Sequence, residues 1–328
     1  MVDDMHHKTF SQDPSPQILY KYLSENFPGA NYYSAYEAGF CGFWIHDELQ
    51  KLGVKCIVVN PADIPTTGKE TIQKEDKRDS LKIVKCLRGG MLNPIYVPSQ
   101  HALESRSLLR VRTAIVKDVA RTKKRLKNHL YLYGIHIPRE LQKQSIAWTR
   151  TYLEWLRSLD LSATSRKTVD MYLEIGQQMI AHKKEITRQL RAVTESDQYK
   201  KNYELLLSIP GIGVVNAITL LLEVDRFDRF ENAERFCSYI GLVPSTRSSG
   251  EREKTGDITP RGNKLLRRAL IEAAWKAACK DPALMMKFKR FEKRMNKNQA
   301  TVRIAKALAA RILYVMKNQT PYRLGTVN

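Results

Sequence analysis

Two adjacent hydroxyls on a basic segment are well placed for covalent chemistry: Ser248 and Ser249, directly before Gly250 and flanked by Arg247 and Arg252. A serine among guanidinium groups suits attack on a phosphodiester, because the cations offset charge building on the phosphate oxygens while the hydroxyl acts as nucleophile. The glycine and its polar neighbours predict a mobile basic loop. Upstream, Ser208-Ile209-Pro210-Gly211-Ile212-Gly213 lies between two apolar helical segments. There a proline and two glycines let the backbone turn sharply and aim the first N–H groups of the next helix at a phosphate, as in a helix-hairpin-helix. An ordinary αα-hairpin followed by a solvated loop accounts for either segment taken alone. Their adjacency favours chemistry on nucleic acid, with Pro210, Gly211, Gly213, Arg247 and Arg252 as candidate phosphate contacts.

A second group of candidates is acidic. Glu37 ends a predicted strand, and Asp76 and Asp79 stand three apart at the start of a predicted helix, which puts both on one face. Carboxylates on a strand end and a neighbouring helix can hold Mg²⁺ for phosphodiester chemistry. The same residues also suit plainer roles, Asp76 as a helix N-cap and Asp79 as half of a surface ion pair.

The elements that must position these groups follow from periodicity. Ile18, Leu19, Tyr22 and Leu23 recur at helical spacing and predict about three turns from Pro16, closed before Pro28-Gly29. Residues 31–36 read as a strand, 42–52 as a helix and 55–59 as an apolar strand. That alternation predicts a parallel sheet in an α/β layer. Residues 62–74 are polar, and 79–87 are helical by pattern. Between 101 and 133, Leu108, Ile115, Val119, Leu126 and Leu130 form a helical stripe, while Arg110, Arg112, Lys117, Arg121, Lys123, Lys124, Arg125 and Lys127 crowd the remaining surface. This long basic helix is a candidate nucleic-acid grip, with Arg121 and Lys124 among its contacts. A second helix over 165–191 pairs with it, either as a hairpin or as an intermolecular coiled coil. Helices over 265–279 and 301–316 complete the pattern.

Composition narrows the class. With 55 Lys+Arg against 34 Asp+Glu, the formal net charge is +21 and the isoelectric point is near 9.7. Such a balance points to a polyanionic partner. No apolar run reaches the ~18 residues a membrane span needs, so the expectation is a soluble, cytoplasmic chain. Cys41, Cys56, Cys86, Cys237 and Cys279 are scattered singly, which suggests buried thiols and neither zinc nor a disulfide framework. At 328 residues and 43% hydrophobic content, two cores of ordinary size are expected.

Several motifs in order carry a family resemblance. Tyr36-Glu37-Ala38-Gly39, Val59-Asn60-Pro61 and Lys74-Glu75-Asp76-Lys77-Arg78-Asp79-Ser80 resemble the Glu-Ala-Thr-Gly, Asn-Pro and Lys-x-Asp-x-x-Asp-Ala signatures of the insertion-sequence-110 transposases, the DEDD family. Ser208 to Gly213, Phe236 to Pro244, Ser248-Ser249-Gly250 and Arg261-Gly262-Asn263-Lys264-Leu265-Leu266-Arg267-Arg268 are similar to that family's second domain. The resemblance implies an α/β ribonuclease-H-like (RuvC-type) domain over 8–100, a helical coiled-coil linker over 101–200, and an all-α transposase domain with a helix-hairpin-helix and serine loop over 201–322. It implies Glu37, Asp76 and Asp79 as Mg²⁺ ligands and Ser249 as the nucleophile that joins covalently to DNA. It further implies donor and target DNA and a structured guide RNA as partners, a dimer or tetramer, and a home beside the nucleoid of a bacterial or archaeal cell.

The chain departs from the family at its start, where Lys8-Thr9-Phe10 resembles the end of the family's third strand. The strand ending in Gly-Ile-Asp, which carries the first acidic ligand, has no counterpart, and Asp3 and Asp4 stand in a different context. The expectation is an incomplete first domain with a weakened metal site and impaired activity, through either a late start or a decayed copy. Two other classes stay open: a metal-dependent junction-resolvase-like nuclease without a serine step, and a non-catalytic helix-hairpin-helix DNA-binding protein.

Overall fold

The computed structural model describes residues 8–65, 76–142, 148–249, 252–259 and 261–324, and of residues 76, 77, 245–249 and 252–257 the backbone alone. Asp3, Asp4, Glu75 and Gly250 lie outside the described residues. The chain divides after Ser99 into two compact units, and its secondary structure is mostly helical with little sheet.

In the first unit, Pro16 opens helix α1 (Pro16–Asn26), where its missing N–H costs no helical bond, and Ser15 caps it by accepting from the Ile18 N–H at 3.3 Å. Strands β1 (Tyr33–Glu37) and β2 (Lys55–Val59) pair in parallel, with Glu37 opposite Val59. Helix α2 (Trp44–Lys51) makes the crossover that a parallel pair requires. Leu49, Val54 and Cys56 are buried at the centre, covered by Leu19, Tyr20, Tyr32, Tyr36 and Ile45. Helix α3 (Asp76–Arg88) packs beside β1. Pro94 adds an antiparallel bridge to Val59, and the Ile95 N–H donates to the Val58 carbonyl at 2.8 Å. The expected parallel α/β layer is therefore present as a two-stranded sheet.

The second unit is built on two long helices, α4 (Gln100–Leu132) and α6 (Ala163–Thr194), with α5 (Arg150–Ser158) between them in sequence. At ~1.5 Å per residue each long helix runs about 50 Å. Contacts between Arg112 and Thr187, Thr122 and Met179, and His129 and Ser165 follow one another in antiparallel order, so the two helices form a hairpin within one chain. Leu126, Leu130, Val169 and Leu173 bury the far end of the seam together with Tyr152 and Leu156 of α5.

The near end of the hairpin joins a larger core. Helices α7 (Lys200–Leu207), α8 (Val214–Val224) and α9 (Ala233–Ile240) precede a ribbon of β3 (Pro244–Ser249) and β4 (Arg252–Ile258), and α10 (Lys264–Lys280), α11 (Pro282–Glu292) and α12 (Lys297–Asn318) follow it. Ala273, Ala274 and Ala277 make a small-residue face on α10, and Ala305, Leu308, Ala309 and Ile312 line α12, all fully buried. Leu109 of α4 and Leu190 of α6 belong to the same core. Cys56, Cys86 and Cys237 are buried as expected, but Cys279 is exposed because the last turn of α10 turns that position outward. No helix among the described residues is long and apolar enough to cross a membrane.

Candidate nucleic-acid interface and serine hairpin

Ser248 and Ser249 belong to a strand, which corrects the expected loop. In the β3–β4 ribbon Ser249 pairs with Arg252, Ser248 with Glu253 and Arg247 with Lys254. Ser249 is therefore the last residue of β3 and is paired with the first of β4. Directly opposed residues share a face, and so do residues two apart on one strand. The register thus places Ser249, Arg252, Arg247 and Lys254 on one face of the ribbon and Ser248 and Glu253 on the other.

Two glycines form the foot of this ribbon. Gly241 ends α9 in the left-handed region at φ 83°, its N–H bonded to the Cys237 and Ser238 carbonyls. Gly262 has φ 99°, and a Cβ there would fall 2.5 Å from the Gly241 nitrogen, so the incoming and outgoing chains cross where no side chain fits. The Asn263 N–H donates to the Tyr239 carbonyl at 2.9 Å and closes the crossing. Asn263 then caps α10 by accepting from the Leu265 and Leu266 N–H groups at 3.0 and 3.1 Å.

The segment 208–213 forms the turn between α7 and α8, as its glycines and proline suggested, but its two glycines do different work. Gly211, at φ 87°, faces α10, and a Cβ there would lie 2.3 Å from the Ala273 carbonyl oxygen. Its task is close helix approach. Gly213 has open space around it and precedes α8 without any side-chain cap, which leaves the first N–H groups of that helix available to an anion. Pro210 is half-buried between the buried Ile209 and Ile212. Ser208 Oγ donates to the Leu205 carbonyl at 2.7 Å and accepts from the Tyr322 N–H at 2.9 Å, which fastens the chain's last described turn to this motif.

On α4, Lys124 is exposed and Arg121 pairs with Asp118 at 2.7 Å. Arg110, though exposed, is engaged by a buried carboxylate, and this sequence reading had missed. Its Nε and Nη2 donate to the two carboxylate oxygens of Glu223 at 3.0 and 3.2 Å. Glu223, on α8, is almost completely buried, and Asn263 Nδ2 donates to it at 2.8 Å. The hydrogen bonds it donates to this carboxylate raise the affinity of the Arg110 guanidinium for its proton above the ordinary value. Buried Arg106 lies 3.9 Å from the same carboxylate and donates to the Leu222 and Glu223 carbonyls at 3.2 and 3.3 Å. Tyr239 Oη adds a bond to the Glu223 carbonyl at 2.9 Å. One carboxylate thus joins α4, the end of α8 and the start of α10. The signal was in the sequence: Glu223 interrupts an otherwise apolar run over 220–224.

The acidic trio is spread over β1 and α3. Glu37 ends β1 half-buried, with no partner for its carboxylate among the described residues. Asp76 opens α3, and Asp79 sits one turn on, 3.4 Å from Lys82 in the surface pair its spacing allowed. No cluster of three potential ligands is assembled among the residues whose side chains are described. Asp76 is not one of those residues.

The sequence matches those of transposases. Residues 203–290 match the group described as the Transposase IS116/IS110/IS902 family, and residues 35–135 match its DEDD transposase domain. The chain is 31% identical over 245 residues to the putative transposase y4qE of Sinorhizobium fredii, an alignment covering 74% of this chain and 58% of that one. It is 30% identical over 302 residues to the putative transposase y4rJ of the same organism, covering 85% and 74% of the two chains. A transposase for the insertion sequence element IS1533 of Leptospira borgpetersenii is 28% identical, over 73% of this chain and 69% of its own. The chain belongs to the IS110 family of transposases.

Proposed function

We propose that this protein cuts and joins DNA at the ends of an insertion element, with Ser249 as nucleophile. The observation that carries the reading is the register of the ribbon, which groups Ser249 with Arg247, Arg252 and Lys254 on one face at the end of the hairpin. Phosphoryl transfer asks chiefly for positioning and for cations around the phosphate, and this face groups the cations with the nucleophile. Ser249 Oγ forms an ester bond to phosphorus as one bridging oxygen of the DNA strand leaves. The serine proton ends on that oxygen, which departs as a hydroxyl. Reversal by another strand's hydroxyl rejoins DNA and restores the serine. The exposed cations of α4 and the uncapped start of α8 at Gly213 hold the nucleic-acid backbone, of donor or target DNA or of a structured guide RNA, because charge reads backbone and not sequence.

Glu37, Asp76 and Asp79 are the residues that would hold Mg²⁺. Oxygen donors from a strand end and from the first turn of the helix packed beside it are the kind a hard cation takes, and the Glu37 carboxylate, without a partner among the described residues, fits that role. The bound ion would supply charge stabilisation at the scissile phosphate. Synapsis of two DNA ends calls for a homo-oligomer.

The test is a covalent-trapping assay with cognate element ends and Mg²⁺. Ser249→Ala abolishes the protein–DNA adduct and leaves DNA binding intact, whereas Ser248→Ala, on the opposite face, is milder. Strand cleavage at the wild-type rate by Ser249→Ala, or an adduct mapped by mass spectrometry to another residue, refutes the serine assignment and promotes a metal-only nuclease.

A further inference from the structure

A cleft of about 840 Å³ opens at the foot of the serine ribbon, between α4, α9 and the start of α10. Its cationic lining comes from two separate helices: Arg110, Lys117 and Arg121 from α4, and Lys264 and Arg268 from α10. Two carboxylates also line it, and both are already engaged. Glu223 is held by Arg110 and Asn263, and Asp118 by Arg121. Arg268 is paired outside the cleft with Glu272 at 3.0 Å. Lys117 and Lys264 remain, both exposed and neither with an acidic partner among the described residues. Two ammonium groups facing one cleft, beside three more cations, repel one another unless an anion sits between them.

The geometry points to this cleft as a docking site for the phosphodiester backbone of DNA, on the strand that flanks the phosphate presented to Ser249. The inference rests on the proposed serine chemistry and deepens it. The cleft is tied to the ribbon by the chain itself: Tyr239 lies on the helix that leads into β3, and Gly262, Asn263 and Lys264 follow β4 directly. DNA seated here would therefore be indexed to the hairpin through the Gly241–Gly262 crossing and not through a flexible tether. Arg110 supports the site from beneath, since its guanidinium is committed to Glu223 while its side chain is 61% exposed.

The experiment is a fluorescence-anisotropy titration of labelled duplex DNA by the full chain, repeated from about 50 to 200 mM salt. The lysine pair Lys117→Gln/Lys264→Gln is compared with Lys117→Arg/Lys264→Arg and with the control pair Lys287→Gln/Lys289→Gln, exposed on α11 and equal in charge change. Each neutralised phosphate contributes about 0.9 to the slope of log affinity against log salt, so loss of two contacts flattens it by about 1.8. Over that fourfold salt range the wild type then loses roughly tenfold more affinity than the glutamine pair. The arginine pair keeps the wild-type slope, and the control pair changes it by less than half as much. An unchanged slope in the cleft pair, an equal change in the control pair, or a change confined to single-stranded RNA overturns the inference. A steep wild-type slope with an unaltered cleft variant refutes the cleft alone, whereas a wild type that binds no DNA at any salt refutes the proposed function with it.

Discussion

Replacing Glu223 by glutamine tests whether one carboxylate holds the second unit's working end together. The substitution keeps the volume and removes the charge, and its amide must turn an NH₂ toward at least one of three donors: Arg110 Nε at 3.0 Å, Arg110 Nη2 at 3.2 Å, or Asn263 Nδ2 at 2.8 Å. Breaking a buried ion pair by removing one partner typically costs about 3–5 kcal/mol. Two features lower that figure here. The Arg110 side chain is 61% exposed, so water takes back part of its lost interaction. Arg106, 10% exposed, keeps its two bonds to backbone carbonyls. The expected loss is about 2–3 kcal/mol, read as a fall of roughly 1 M in the urea midpoint of the full chain. Adding Arg110→Met to Glu223→Gln should cost less than the sum of the two single changes, by about 1 kcal/mol, because they share one interaction. A Glu223→Gln protein within about 0.5 kcal/mol of wild type, or strict additivity with Arg110→Met, would show that the carboxylate is not the joint described.

Other substitutions separate roles that look alike in sequence. Gly211→Ala forces a left-handed φ on alanine and a contact 2.3 Å from the Ala273 carbonyl oxygen, so thermal unfolding should show a loss of about 2 kcal/mol or more, whereas Gly213→Ala, in open space, should stay within about 1 kcal/mol and show its effect in DNA affinity. Burial pushes the Asp281 carboxyl up, but bonds from Tyr322 Oη, the Leu284 N–H and Arg311 outweigh it and hold the group below its ordinary 3.8. Its stabilisation is therefore complete above that value and is lost as pH falls through the lower folded one, so Asp281→Asn should flatten the acid limb of a stability–pH curve; an unchanged limb would place the acid sensitivity elsewhere. Tyr322→Phe removes the hydroxyl bonded to Asp281, leaves the backbone bond to Ser208 in place, and should cost about 1 kcal/mol in urea unfolding.

What could be read from the sequence depended on whether burial left a period. Residues 16–26, 33–37, 44–51 and 55–59 alternate or repeat as a half-buried layer must, and the parallel pairing followed from the helix between the strands. The stripe from Leu108 to Leu130 likewise announced α4, but the same stripe serves an internal hairpin or a second chain, and only contacts such as Arg112 with Thr187 decide for the hairpin. The ribbon left no such trace. Thr246, Arg247, Ser248 and Ser249 oppose Thr255, Lys254, Glu253 and Arg252, so polar residues occupy both faces and the period of two carries no hydrophobic signal. Helices α9 and α11 went unread, although Asn232, which caps α9, and Asp281, which caps α11 before Pro282, are residue types that favour helix starts. The serine, the carboxylates and the glycines could be named from residue type, but their grouping depends on register and on long-range pairing. Glu223 illustrates the limit: a lone carboxylate in an apolar helix declares that partners exist, and Arg110 and Asn263 stand far from it in sequence.

The lack of an apolar face also bears on how the proposed nucleophile would be aimed. An isolated two-stranded ribbon is marginally stable in water, and the sequence of this one offers no apolar side to fix its direction. Its direction must come from the foot. There Gly241 and Gly262 cross at a separation that admits no Cβ, the Tyr239 carbonyl receives the Asn263 N–H, and Asn263 reaches back to Glu223, which Arg110 of α4 also grips. Any load on α4 is thereby carried to the residue that begins α10 and ends the ribbon's return path. A nucleic acid bound along the exposed cations of α4 and a phosphate presented to Ser249 would then be referred to one rigid joint, which is where the accuracy of the strand transfer has to be built, since the ribbon cannot supply it.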